Sequence, residues 1–153
     1  FSATTDGQAL ILGNTGANNP GAPDTFFYKM VSSTGNGNQD ETTMLSYGLS
    51  MTLSKLYVKL NYEPATGSTL TWSTRVGQAS PAGNLSVAVT GTAVTGSDTT
   101  NSVTVNDDQD LGMRCVMATA TEVMAHRWGL VAEVAAAAAT GSTPQNLLLM
   151  GGG

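Results

Sequence analysis

Between Leu53 and Val134 apolar side chains recur at every second residue, in short runs cut by Gly, Pro, Asn and Asp. A period of two sends successive side chains to opposite faces of an extended chain, so each run reads as a half-buried strand. Leu56, Val58 and Leu60 share one face, with Tyr57 and Lys59 on the other. After a turn at Glu63–Gly67, Leu70, Trp72, Thr74 and Val76 share the next inner face. Leu85, Val87 and Val89 follow, then Val103 and Val105 in a short strand, then Leu111, Met113, Cys115 and Met117. Trp128, Leu130, Ala132 and Val134 close the series. Thr90 to Asp98 holds two glycines and reads as a bent connection.

Upstream, Thr25 to Val31 is an aromatic-rich strand, and Asn36-Gly37 marks a turn. Thr42 to Thr52 alternates more loosely through Met44, Leu49 and Met51. This makes about eight strands with turns roughly every 8–15 residues, the spacing of a β-sandwich or barrel. Glu122 to Ala139 has helix-forming composition towards its end, but the alternation through His126–Val134 favours a final strand.

Charged residues make up 11% of the chain, against roughly 25% in ordinary soluble domains. Such a surface favours association. The net charge is −5 and the six basic residues are scattered, so no stripe exists to neutralise phosphates and direct nucleic-acid binding is not expected. No run of about 18 apolar residues is present to span a membrane as a helix. Cys115 is alone, which excludes an intrachain disulfide, and its position on an inner face predicts a buried thiol. The first residue is Phe1, not Met; under a filament reading it would mark a removed leader.

Two segments stand apart from the sandwich. Residues 1–24 read as an N-terminal arm whose apolar run includes Leu10, Ile11 and Leu12; this run suits either an edge strand or a docking element for a neighbour. Residues 135–153 read as a C-terminal tail in which Leu147, Leu148, Leu149 and Met150 need cover, from the domain itself or from a partner. The domain proper is then 25–134.

Chemistry is sparse. His126 is the sole histidine, sits beside Arg127 and has no nucleophile motif to serve, so a packing or surface role is expected and no catalytic residue is assigned. Asp107, Asp108 and Asp110 form the densest acidic cluster and are a candidate calcium site, although the EF-hand pattern fails because Leu111 stands where glycine is needed. Asp40-Glu41 reads as a water-exposed loop. Asn84-Leu85-Ser86 is a formal glycosylation sequon at a strand start. Trp72 and Trp128 follow the inner parity, leaving Tyr57 and Tyr62 as candidates for a contact or sugar-stacking surface.

In order along the chain, these pieces make a recognisable set. They run from Leu56-Tyr57-Val58-Lys59-Leu60 and Pro64-Ala65-Thr66-Gly67 through Ser68–Val76 and Leu85–Thr92. Ser97-Asp98-Thr99-Thr100, Val103-Thr104-Val105, an acidic turn at Asp107–Asp110 and Trp128-Gly129-Leu130 complete it. Over about residues 25–134 the pattern resembles phage- and virus-encoded structural proteins with a complement/tumour-necrosis-factor-like jelly-roll domain. One departure is the acidic turn, which in that family usually reads Gly-Asp. The resemblance implies an all-β jelly roll, a homotrimer and a place on a virion surface as a capsid decoration or head fibre. Its partner would be the major capsid protein or identical subunits. Two other expectations compete: a subunit of an extracellular filament or adhesin joined by exchange of terminal strands, and a carbohydrate-binding module. None of the three is an enzyme.

Overall fold

The structure, a computed structural model, describes residues 7–15, 24–31, 40–43, 45–46, 50–64, 66–80, 83–118 and 125–134. Their strands are β1 (Gln8–Asn14), β2 (Asp24–Lys29), β3 (Leu45–Ser46), β4 (Met51–Leu60), β5 (Thr69–Val76), β6 (Ser86–Thr90), β7 (Thr95–Val105), β8 (Asp110–Met117) and β9 (His126–Val134), with a 3-10 turn at Glu41–Thr43. One sheet runs β1-β9-β4-β7 and the other β2-β8-β5-β6, while the two-residue β3 continues along β8 beside β2. All pairs are antiparallel.

The pairing is nested. β5 pairs β6, β4 pairs β7, β2 pairs β8 and β1 pairs β9, while β4·β9 and β5·β8 join these hairpin arms into the two sheets. This is one long hairpin rolled into two packed sheets, the topology of a jelly roll. The expected fold class, an antiparallel jelly-roll sandwich of about eight strands, is the one found.

The inner faces follow the period of two. Leu53, Leu56, Val58 and Leu60 on β4 meet Leu70, Trp72 and Val76 on β5, with Val87, Val103, Met113, Cys115 and Leu130 in the same dry core. At one end lies an aromatic cluster contributed by both sheets. Trp72 stands 5.1 Å from Trp128, 5.3 Å from Tyr28 and 5.2 Å edge-on from His126, measured between ring centroids. The Trp128 indole donates to the Met30 carbonyl at 3.0 Å, so the largest side chain of β9 has its one donor satisfied inside. Gly13 makes room for that indole: a Cβ there would fall 2.4 Å from Trp128 Cε2.

Three expectations change. Gln8–Asn14 is not an arm outside the domain, because it pairs residue for residue with Glu133–Arg127 and forms an edge of the sandwich. The stretch from Thr95 is not a loose connection but the start of the longest strand, β7. Thr42–Thr52 is not one strand: a 3-10 turn and the short β3 occupy its first part, and β4 begins only at Met51. The tail at 135–153, with Leu147 to Met150, lies outside the described residues.

Candidate functional site

Among the described residues, the histidine and the cysteine are both inside the packed core. His126 is 1% exposed, and burial pushes its pKa down to about 4, so it is neutral at pH 7. Its Nδ1 has no hydrogen-bond partner among the described residues, and its ring serves as an edge against Trp72. Thr15 fixes its backbone: the Thr15 N–H donates to the His126 carbonyl, and the Thr15 hydroxyl accepts from the His126 N–H. Cys115 is fully buried and burial pushes its thiol pKa up, which removes it from nucleophilic or redox roles.

Asp98 is the one buried carboxylate among the described residues. It is 9% exposed and sits where β7 bulges against β4, opposite Leu56. Three backbone N–H groups, of Ser86, Thr100 and Asn101, and the Asn101 amide donate to it at 3.0–3.2 Å. Burial alone would raise its pKa; the donors, led by the Asn101 side chain, outweigh that and hold it below the usual carboxylate range. Because Ser86 belongs to β6 and Asp98 to β7, this carboxylate clips the two sheets together. On β4 the same irregularity places Lys55 at φ 55°, a left-handed conformation unusual for a residue other than glycine.

The outer face of the β1-β9-β4-β7 sheet is different. Leu12 of β1 lies opposite Gly129 of β9, which lies opposite Tyr57 of β4, which lies opposite Ser97 of β7. The adjacent row runs Asn14, Arg127, Lys59 and Thr95. Gly129 contributes no side chain to the middle of the first row, where Leu12 Cδ2 leans over it. The result is a depression of about 640 Å3 lined by Leu12, Tyr57, Lys59, Ser97, Arg127 and Gly129. Tyr57 is 41% and Leu12 60% exposed. Lys59 and Arg127 are directly opposed like charges, an arrangement that opposes folding unless an anion is present. Neither has a carboxylate at ion-pair distance among the described residues.

The candidates named from sequence fall as follows. Asp107 and Asp108 are exposed in the turn between β7 and β8, and Asp110 begins β8. The turn is closed by Gln109, whose backbone N–H donates to the Asn106 carbonyl and whose side chain accepts from the Asn106 N–H. Among the described residues no group of three His, Cys, Asp or Glu side chains is placed to hold a metal ion. Glu41 is not a water-exposed loop residue, since it pairs with Arg75 at 2.5 Å. Asn84 turns its carbonyl to the Thr74 hydroxyl, which leaves the sequon asparagine tied into the sheet. Tyr57 and Tyr62 are both exposed, but only Tyr57 lines the depression. Leu10 and Leu12 project outward from β1, while Ile11 packs on the core.

The Lys59–Arg127 pair was not singled out from sequence. The alternation places Lys59 outward and, through Trp128, Arg127 outward as well. Their opposition depends on the register between β4 and β9, set beyond the irregularity near Lys55. No family model matches the chain, and no curated protein matches its sequence.

Proposed function

We propose that this jelly roll is a non-enzymatic structural protein of a virion surface, a homotrimer that docks on the major capsid protein and decorates or stabilises the shell. The observation that carries this reading is the aliphatic pair Leu10 and Leu12, 38% and 60% exposed on an edge strand of the sheet. An edge presents unpaired backbone groups, and an edge with exposed leucines is a ready contact for another chain. The jelly-roll topology and the family-like order of motifs over 25–134 support the same reading. So does an interior filled by packing, with its histidine neutral and its thiol buried.

The filament reading, with residues 9–12 donated to an identical subunit, requires β1 to leave β9, to which all seven of its residues are paired. The trimer needs no such opening.

Light scattering coupled to size-exclusion chromatography tests the assembly. The expected mass is three chains, and Leu10→Ser with Leu12→Ser should shift it towards one chain without lowering the melting temperature. A wild-type monomer at tens of micromolar that also ignores purified capsid shells overturns the reading. Truncation before Gly141 should leave the fold intact and impair assembly.

A further inference from the structure

We propose that the depression on the outer face of the β1-β9-β4-β7 sheet binds a sugar acid: a pyranose carrying a single carboxylate, presented at the end of a short glycan. The carboxylate lies against Lys59 and Arg127, and the ring lies on Tyr57.

Four features of the depression select this chemistry. The first is the charge pair. In an antiparallel sheet, directly opposed residues hold their Cβ atoms about 4.5–5.5 Å apart, and Lys59 and Arg127, opposed in this way, both line the depression. A bound carboxylate turns their mutual repulsion into two charge-assisted hydrogen bonds. The second is the floor. Gly129 carries no side chain between Leu12 and Tyr57, and Leu12 Cδ2 leans towards it, which gives the depression an apolar floor beside the exposed Tyr57 ring. Pyranoses present an apolar face of C–H groups that suits an exposed tyrosine. The third is the far rim, where Thr95 and Ser97 bring hydroxyls that match those of a sugar. The fourth is size: about 640 Å3 falls in the usual range for small-ligand sites of about 300–1,000 Å3 and takes more than one saccharide unit.

The whole-chain charge narrows the class further. A protein of net charge −5 repels polyanions at long range. Two adjacent cations on such a body favour one carboxylate at contact over a sulfated polymer or a nucleic acid. The depression shares Leu12 with the exposed leucine edge, whereas Tyr57, Lys59, Ser97 and Arg127 stand on the inner strands β4 and β9 and on β7.

Backbone-amide NMR of the full chain, titrated with 3′-sialyllactose and with lactose at millimolar concentrations, tests the proposal. The acidic sugar should perturb the signals of Leu12, Tyr57, Lys59, Arg127 and Gly129 saturably, and lactose at least about tenfold more weakly, the loss expected for one charge-assisted pair. Lys59→Gln and Arg127→Gln should each weaken the acidic sugar by about tenfold without lowering the melting temperature, because both side chains are on the surface. Tyr57→Ala should weaken both sugars alike. Equal binding of sialyllactose and lactose, or full binding by the double Gln variant, overturns the proposal. A peptide with the sequence Val105–Leu111 supplies the rival anion, the acidic turn of a second copy. Perturbation of the same signals by that peptide at lower concentration than by sialyllactose also overturns it, in favour of a contact between subunits.

Discussion

The two outward faces of the sandwich treat their cations in opposite ways. On the β2-β8-β5-β6 side, Arg75 projects from β5 and is held on every side. Glu41 takes its guanidinium through two oxygens at 2.5 and 2.9 Å, the Gln78 carbonyl and the Ser80 hydroxyl accept from it, and Phe27 lies beneath it at 5.9 Å. Ser73, also outward on β5, is buried. Around Arg75 this face is closed by the protein's own chain, whereas Arg114, outward on β8, has a buried Nε with no hydrogen-bond partner among the described residues. On the β1-β9-β4-β7 side, Lys59 and Arg127 face each other across an open depression with no carboxylate near them among the described residues. The one sheet carries the β4 irregularity and the other none, but Lys59 and Arg127 pair in register beyond it, so regular pairing does not decide which face closes. What decides it is whether a connecting segment brings a countercharge, as the 3-10 turn brings Glu41.

The largest expected effect breaks the closed face. Arg75→Ala removes a bidentate pair whose members are only 12% and 17% exposed and leaves Glu41 without its partner. Such truncation should cost about 3 kcal/mol, towards the lower end for buried pairs because some water reaches this one. In urea melts the midpoint should fall clearly, whereas Arg127→Ala should stay within about 0.5 kcal/mol of wild type. Equal losses from the two substitutions would remove the contrast between the faces.

The second effect separates inside from outside at adjacent residues. His126 is inward and neutral; Arg127 is outward and charged. The folded state holds the histidine pKa at about 4 against 6.5 for an unburied ring. The unfolded chain therefore binds the extra proton first as pH falls, and stability is lost between about pH 6.5 and 4, then levels off for this group. At about 1.4 kcal/mol per pH unit the loss approaches roughly 3 kcal/mol. Below 3.8 Asp98 adds a second loss in the same direction, because its folded pKa is depressed and protonation breaks its hold on β6. Chemical melts at pH 7, 5, 4 and 3 with wild type and His126→Phe separate the two: the variant should lack the loss between pH 7 and 4 and keep the one below it. A His126→Phe protein with the wild-type slope between pH 7 and 5 would assign that loss elsewhere.

Much of this contrast was hidden in the sequence, for physical reasons that differ from place to place. The inner faces were legible because burial on one side imposes a period of two, and Leu56, Leu70, Trp72, Met113, Cys115 and Trp128 all obey it. β7 was not, because its first inward positions are Gly96 and Asp98, which carry no hydrophobic signal. Gly96 is small because Val87 occupies the space a Cβ would need, and Asp98 is there to cap backbone N–H groups. Neither role leaves a local pattern. The 34 residues between Glu41 and Arg75 and the 68 between Lys59 and Arg127 explain the rest: both relationships are made by register and topology, which local alternation does not encode.

Two glycines give the third test, since one faces in and the other out. Gly13→Ala would drive a Cβ into the Trp128 indole, a rigid ring held by its bond to Met30. Overpacking of this kind should cost about 1–3 kcal/mol. At Gly129 the new Cβ would meet only Leu12 Cδ2 at 3.1 Å, the end of an exposed side chain that can turn away. The lost packing freedom is offset by alanine's lower backbone entropy, so Gly129→Ala should lie within about 0.5 kcal/mol of wild type. Thermal melts of the two variants should differ by several degrees. A Gly129→Ala protein as unstable as Gly13→Ala would mean that the outer face is packed rather than open.

The smallest effect is the most specific to the open face. If Lys59 and Arg127 repel each other across β4 and β9, removing one charge should stabilise the fold. Lys59→Gln keeps the length and the aliphatic stem that lines the depression and removes only the charge. A cross-strand like-charge pair costs a few tenths of a kcal/mol, so the variant should gain roughly 0.3–0.5 kcal/mol in dilute buffer. At 1 M salt the Debye length shrinks to about 3 Å and the gain should vanish. The same substitution at a matched cation behaves oppositely: Arg75→Gln should lose stability at both ionic strengths, since its partner is a contact ion pair shielded from solvent. A Lys59→Gln variant that loses stability in dilute buffer would show that the ammonium already has a countercharge, and the depression would then belong with the closed face.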